Sequence, residues 1–397
     1  MTTSNHRRDS RILSIDLLRG IVMLIMALDH VRDFFHVAAM TSDPTDLTTT
    51  TAPLFFTRWI THFCAPVFVF LSGMSAYLSG QRKTKQQLSS FLLKRGIWLI
   101  LVEVFVISLA LSFNPLYNFI LLQVIWAIGW SMIILALLLR TNYTVIVITG
   151  IILFFGHNIT DYLVLPQGGV SGILWNVLLT TPGTPYLYAP QRMILDAYAI
   201  LPWAGIMLLG YSFGKIFAVV SMPERRRKTA MVAGLVLTGL FILLRLVNEY
   251  GDPRPWLTQG STAFTILSFL NVTKYPPSLQ YACMTLGPAL IFLSLADRTN
   301  NRLSRFFSVY GKVPFFYYIL HFFLIHIICV ILFFASGFTT SQIIDQQSPF
   351  LFRPVSFGFG LAWVYLIWLV VILSLYYPCR WFVKYKATHD QWWLSYL

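Results

Sequence analysis

The stretch ILSIDLLRGIVMLIMALDHVRDFFH, residues 12–36, carries charges at both ends around an apolar middle, Ile21 to Leu28. Its length and pattern predict a membrane-spanning helix over 13–36. At 3.6 residues per turn, Asp16, Arg19, Met23, Met26, His30 and Asp33 follow one another at steps of three or four and share one face. Arg19 and His30 are eleven residues apart, roughly 16 Å of rise and about 20° past three whole turns. One face thus offers an acid and a base near one membrane surface, and a histidine and an acid near the other. Lipid tolerates such groups poorly, so the face is expected to look into the protein or a wet cavity. The plainer alternative is an interfacial Asp16–Arg19 pair and a histidine that only caps a helix.

The whole chain reads the same way. Its 397 residues are 57% hydrophobic and only 11% charged, with mean hydropathy +0.68. Many segments exceed the ~20 apolar residues that cross a bilayer, so the expected class is all-α: a polytopic integral membrane protein. Ten spans are expected, at 13–36, 59–80, 92–113, 117–139, 143–164, 194–217, 229–248, 279–296, 313–335 and 355–378. They form a single domain over 1–397, with a short polar N-terminus (1–11) and a C-terminal tail (379–397). The first apolar run is too long for a signal-peptide core and lacks a small-residue cleavage site, so it reads as a retained helix. The four cysteines, Cys64, Cys283, Cys329 and Cys379, are far apart in apolar surroundings. They read as buried free thiols, with no metal expected.

With ten spans, most of the 29 Lys and Arg fall on one side. These are Arg7, Arg8 and Arg11, the groups 82–95 and 215–228, Arg140, the group 298–312, and Arg380, Lys384 and Lys386. The other side keeps Arg32, Arg58, Arg192, Arg245, Arg254, Lys274 and Arg353. Excess basic residues mark the cytoplasmic side, so both termini are expected there. The formal charge of +14 is therefore a matter of topology, not of nucleic acid. It also suits an anionic donor arriving from the cytosol. The longer connections, 37–58, 165–193, 249–278 and 336–354, lie on the opposite face. Long ordered loops on a helical scaffold usually carry binding function. Within them, LWNVLLT and FTILSFL are apolar enough for short interfacial or re-entrant pieces.

Several ionisable groups sit at depth. His62 enters the second span on the same side as His30, with Pro66 expected to kink it; Gly73, Ser75 and Ser79 would let another helix approach. Glu103 falls in the third span, and His321 and His326 in the ninth. The last two are five residues apart, about 140° around a helix, so they are not a same-face metal pair. A Glu–His bond between helices or a functional role are both open.

Ser14-Ile-Asp16-Leu-Leu-Arg19-Gly20 and Ala65-Pro66-Val-Phe-Val-Phe-Leu-Ser72-Gly73 resemble the opening of the bacterial heparan-alpha-glucosaminide N-acetyltransferase-like family, in the transmembrane acyltransferase superfamily. Leu28-Asp29-His30-Val-Arg32-Asp33-Phe34-Phe35 and Phe269-Leu-Asn271-Val-Thr-Lys274-Tyr275-Pro276-Pro277-Ser278 resemble its bacterial branch. The Asp-x-Leu-Arg-Gly opening also resembles integral-membrane acyltransferases that O-acylate bacterial polysaccharides, whose helix-closing histidine falls here on His30. One departure stands out. Lysosomal members are held to use a histidine in the first non-cytoplasmic loop, a position that falls near Ala52, and residues 37–58 hold none. His36, at the edge of that loop, is the nearest stand-in, and heparan itself is not expected as substrate.

The resemblance implies residence in a bacterial cytoplasmic membrane, with acetyl-CoA or another acyl-CoA as donor substrate. It implies acyl transfer from the cytosol to an amine or hydroxyl of a carbohydrate acceptor on the outer side, and leaves room for a homo-oligomer. Acyl transfer needs a base or nucleophile and donors for the oxyanion. His30 is the candidate catalytic imidazole, with Asp33 one turn on to orient it. Asp29, about 100° away, is better placed to pair with Arg32. Asp16 and Arg19 are the candidate donor-binding pair, Arg19 suiting phosphate. His62, Lys274, Arg32 and Asp29 are expected on the acceptor side. The main rival is a proton-coupled secondary transporter of a small metabolite or glycan precursor, using Glu103, His321 and His326. Against it, no repeat pairs or matched broken helices are visible. A non-catalytic partner in glycan assembly is a third reading.

Overall fold

The computed structural model describes residues 12–166, 168–181, 183, 185–218 and 222–397. The expected N-terminal segment 1–11, with Arg7, Arg8 and Arg11, lies outside the described residues. The predicted first span forms α1 (Leu13–Phe35), a single helix of 23 residues. It is followed by α2 (Ala52–Thr61), α3 (Cys64–Gly80), α4 (Lys85–Val102), α5 (Ser108–Ser112), α6 (Val124–Leu138) and α7 (Tyr143–Gly156). The second half holds α8 (Gly169–Trp175), α9 (Ile200–Gly214), α10 (Pro223–Val247), α11 (Thr262–Leu270) and α12 (Leu279–Ala296). It closes with α13 (Arg302–Lys312), α14 (Pro314–Ala335) and α15 (Leu361–Thr388).

Eight helical stretches among the described residues are long and apolar enough to cross a membrane, the continuous pairs α2–α3 and α4–α5 each making one. The ten expected spans add α1, which carries too many charges for that set, and α6, which has 15 residues. The chain is a predominantly helical, polytopic membrane protein.

The boundaries differ from expectation in ways the sequence explains. The second span begins at Ala52, where Thr51 caps it by accepting from the Leu54 amide and Pro53 occupies its first turn; the missing proline N–H costs nothing there. The third begins at Lys85, behind a reciprocal Thr84–Gln87 capping box, so Lys94 and Arg95 lie inside the helix and not in the connection before it. The expected span 117–139 starts instead as a strand, β1 (Phe119–Leu122). It pairs in parallel with β3 (Arg192–Asp196), to which β2 (Pro185–Ala189) is antiparallel, so the helix expected from 194 begins only at Ile200. The last helix runs through Pro378 to Thr388, so much of the expected tail 379–397 is helical. The two apolar loop pieces are short helical segments, around α8 and in α11.

α1 is the axle of this arrangement, in contact with α2, α3, α12, α13, α14 and α15. Its closest approach is to α13, where two glycines face each other's backbone. A Cβ built on Gly20 would stand 1.9 Å from the Phe307 carbonyl oxygen, and one on Gly311 would stand 1.8 Å from that of Asp16. Only residues without a Cβ allow two backbones this near. Gly311→Ala is therefore expected to lower thermal stability and the monodisperse fraction after extraction, since overpacking costs about 1–3 kcal/mol. Gly239→Ala, in α10 with nothing within 4 Å of the added carbon, is the control and should be neutral or slightly stabilising.

The C-terminal end of α1 is closed by the loop between α14 and α15. Val37 N–H donates to the Phe359 carbonyl (3.1 Å), and Phe359 N–H to that of Phe35 (2.7 Å). Buried Arg353 donates to the Pro354, Phe357 and His36 carbonyls. Asp345 accepts from the Val355 and Gln347 amides, which hold its carboxyl below the usual carboxylate range. All four cysteines are buried and free.

Candidate active site

The charged face of α1 turns inward, as its periodicity requires. At the C-terminal end, Asp29, His30, Arg32 and Asp33 line a cavity of about 200 Å³ together with Arg58 of α2 and Lys274 of the α11–α12 connection. Burying these charges is tolerable only if they are compensated, and the carboxylates and guanidinium groups are paired. Arg32 Nη2 donates to Asp29 Oδ1 (2.8 Å) and to Asp33 Oδ1 (2.7 Å). Arg58 Nη1 donates to Asp29 Oδ2. Lys274 has its ammonium 5.0 Å from the centre of the Tyr275 ring.

His30 lies among these charges but is not consumed by them. Its Nδ1 is 3.9 Å from Asp33 Oδ2, an ion-pair distance that exceeds a hydrogen bond. The reason is local: the neighbouring Arg32 guanidinium holds the other carboxyl oxygen. The His30 ring is instead held by packing, 4.4 Å from the Phe322 ring and 5.3 Å from the His321 ring of α14. His30 itself lines the cavity.

The α-helical pattern of the second span is interrupted at residues 62–63, where it passes this site. Pro66 has no N–H to give to the carbonyl four residues back, which belongs to His62. That carbonyl accepts instead from Tyr281 Oη of α12 (2.8 Å). His62 is almost fully buried, its Nδ1 has no hydrogen-bond partner, and it lines an adjoining pocket of about 130 Å³ that shares Arg58, Lys274 and Tyr275 with the first. His62 and Lys274 therefore meet at one end of the molecule, beside Asp29 and Arg32. His36 is not among the cavity residues; its Nδ1 accepts from the Ala38 amide (3.3 Å).

At the other end of α1, Arg19 donates to Asp16 Oδ1 (3.3 Å), the Gly311 carbonyl (3.1 Å) and Ser75 Oγ (2.8 Å). It also lines a cavity of about 90 Å³ with Met23, Ser72, Arg95 and Tyr318. Phe68 and Val124 appear in the walls of both this cavity and the one around His30. The two spaces thus adjoin across the thickness of the helix bundle. Arg95 donates to the Ser395 carbonyl, and Tyr396 packs against Phe91 and Trp98, so the C-terminal segment covers α4 here.

Three of these residues were missed in the sequence. Arg58 and Arg95 were placed in connections, although the Thr51-Ala-Pro53 and Thr84–Gln87 caps already extend their helices back past them. Nothing in the sequence pointed to His321 lying beside His30. The other deep groups have structural bonds. Glu103 Oε1 accepts from the Gln123 amide (2.9 Å) and not from a histidine. The His326 nitrogens face the carbonyls of Ala110 and Leu351 at 3.2 and 2.9 Å.

The chain is thus a polytopic helical membrane protein with an imidazole at one buried chamber and a guanidinium at the adjoining one. The family profile for the catalytic domain of heparan-alpha-glucosaminide N-acetyltransferase matches residues 11–245, more than half of the chain, and the chain belongs to that acetyltransferase family. The match takes in α1 to α10 and leaves Lys274, His321 and α11 to α15 outside it. No curated protein matches the chain significantly.

Proposed function

We propose that the protein transfers an acetyl group from cytosolic acetyl-CoA to a sugar amine or hydroxyl on the opposite side of a cytoplasmic membrane, with ten spans and both termini in the cytoplasm. The observation that carries this reading is that one helix supplies Arg19 to one cavity and His30 to the next, and that the two share Phe68 and Val124 as walls. The charged end of the donor meets Arg19 and Arg95, and its thioester reaches toward His30. The acceptor arrives in the chamber bounded by Arg58, His62 and Lys274.

His30 takes the proton from the acceptor amine or hydroxyl as its lone pair attacks the thioester carbonyl. The tetrahedral intermediate collapses, the C–S bond breaks, and the proton leaves with the coenzyme A thiol. Asp33, 3.9 Å away, stabilises the imidazolium, while Arg32 and Arg58 hold Asp29 and fix the chamber's shape. Preorganised charges in a site that excludes water stabilise a developing oxyanion far better than they would in bulk.

The test uses the purified full chain in sealed proteoliposomes, with radiolabelled acetyl-CoA on one side and glucosamine or a glycan on the other. The expected result is covalently acetylated acceptor, which a carrier does not produce. In the same assay Arg19→Lys keeps the charge but loses the planar fork. It should raise the KM for acetyl-CoA several-fold while sparing the KM for acceptor. Unchanged donor kinetics would remove Arg19 from the donor site.

A further inference from the structure

A fourth space lies away from those three cavities, at the end of the bundle that the proposed topology puts in the cytoplasm. It is a groove of about 370 Å³ between the start of α1, α13 and α15. Its floor is rigid and aromatic: Phe306 and Tyr376 stack with ring centres 4.8 Å apart. Tyr310 Oη donates to the Ile372 carbonyl (2.7 Å) and ties α13 to α15. Its rim carries four cations, Arg302, Arg305, Lys312 and Arg380. No carboxylate lines it among the described residues. The carboxylates of this end are engaged elsewhere, Asp16 with Arg19 (3.3 Å) and Asp297 with Arg226 (2.6 Å). None of the four rim side chains forms an ion pair with a described residue.

Excess basic residues on a cytoplasmic face follow from topology alone, and scattered ones need no ligand. Four that converge from two helices on one concavity repel each other, and an anion relieves that repulsion. The surroundings say what kind of anion. Leu369, Leu373 and Tyr377 follow at steps of four along α15 and are 43%, 56% and 74% exposed. They form an apolar stripe on the surface of a membrane helix, and it runs down to Arg380 at the groove. A ligand that matches both parts has acyl chains for the stripe and a phosphate for the rim. Basic pockets between helices on the cytoplasmic side suit such headgroups.

We propose that this groove binds the phosphate of an anionic phospholipid, with its chains along Leu369, Leu373 and Tyr377. The site stands independently of the transfer chemistry, since none of its residues lines any of the three inner cavities. Free phosphate and the phosphates of coenzyme A share the same chemistry, and the experiment separates them from the lipid.

The full chain in mild detergent is titrated with phosphatidylglycerol or with phosphatidylcholine, and bound lipid is read by native mass spectrometry. Wild type should retain phosphatidylglycerol at least tenfold better, and the R305Q/R380Q double variant should lose that preference. R225Q/R298Q, which removes two exposed charges outside the groove, should keep it and serves as the matched control for net charge. Millimolar inorganic phosphate or coenzyme A should leave the lipid in place. Equal retention of the two lipids, a preference that survives the double variant, or displacement by coenzyme A would each overturn the proposal. The double variant's substitutions are at solvent-exposed positions, and an unchanged thermal midpoint without lipid verifies its fold.

Discussion

Replacing His30 by alanine should lower turnover by two orders of magnitude or more, the usual scale for losing an acid–base group. Abundance and donor binding should stay close to wild type. The structure makes these two outcomes separable. The His30 ring takes no hydrogen bond from the paired charges around it and is held by Phe322 and His321. Its removal therefore strands no buried ion. The protein should extract and melt almost normally, with a modest loss from the space left by the ring. A histidine that served only the helix end would give the reverse: lower yield, and full activity per folded molecule. If folded His30→Ala protein still transfers acetyl groups at near wild-type rates, the base is elsewhere, and His62 becomes the next residue to test.

Asp29→Ala should show the opposite signature. Asp29 receives both Arg32 and Arg58, and all three are nine-tenths buried or nearly so. Removing one partner of a buried pair leaves an uncompensated charge and typically costs about 3–5 kcal/mol. Here Arg32 keeps Asp33 (2.7 Å) while Arg58 loses its carboxylate, so a cost within that range is expected. The measurement is folded yield and thermal midpoint in detergent. Asp29→Ala/Arg58→Met should recover part of the loss, because the second change removes the arginine that the first one strands. A double variant no better than the single would show that Asp29 is not the partner that makes Arg58 tolerable.

The contrast between these two positions also marks what was legible in the sequence. The inward face of α1 was readable because its polar groups recur at helical spacing in an otherwise apolar run, and lipid leaves them no other direction. The Asp29–Arg32 pair followed from the same spacing. Arg58 was not readable as a member of that set. Its approach to Asp29 depends on where α2 lies relative to α1, and that is decided by the break at residues 62–63 and the bond from Tyr281 to the carbonyl Pro66 leaves free. Likewise Asp33 was expected to hold the His30 ring, since both lie on one face. Periodicity fixes which groups are neighbours but not which neighbour captures a carboxylate oxygen, and Arg32 captures it. The strand at Phe119–Leu122 was hidden for a further reason: Phe-Ile-Leu-Leu is apolar enough for either state, and its partner lies more than 70 residues away in β3.

The close crossing of α1 with α13 has a consequence for which donors can serve. Because the backbones touch at Gly20 and Gly311, α1 cannot slide along its neighbour, and Arg19 is itself tied to the Gly311 carbonyl. The interval along α1 from the Arg19 position to the His30 position is then a fixed yardstick of about 16 Å at the backbone, eleven residues at the helical rise. On the proposed route, a useful donor needs a flexible arm of that reach between its anionic end and its thioester. Acetyl phosphate or a small acetylated thiol can occupy one mark on the yardstick but not both. The enzyme would choose its donor by length as much as by chemistry.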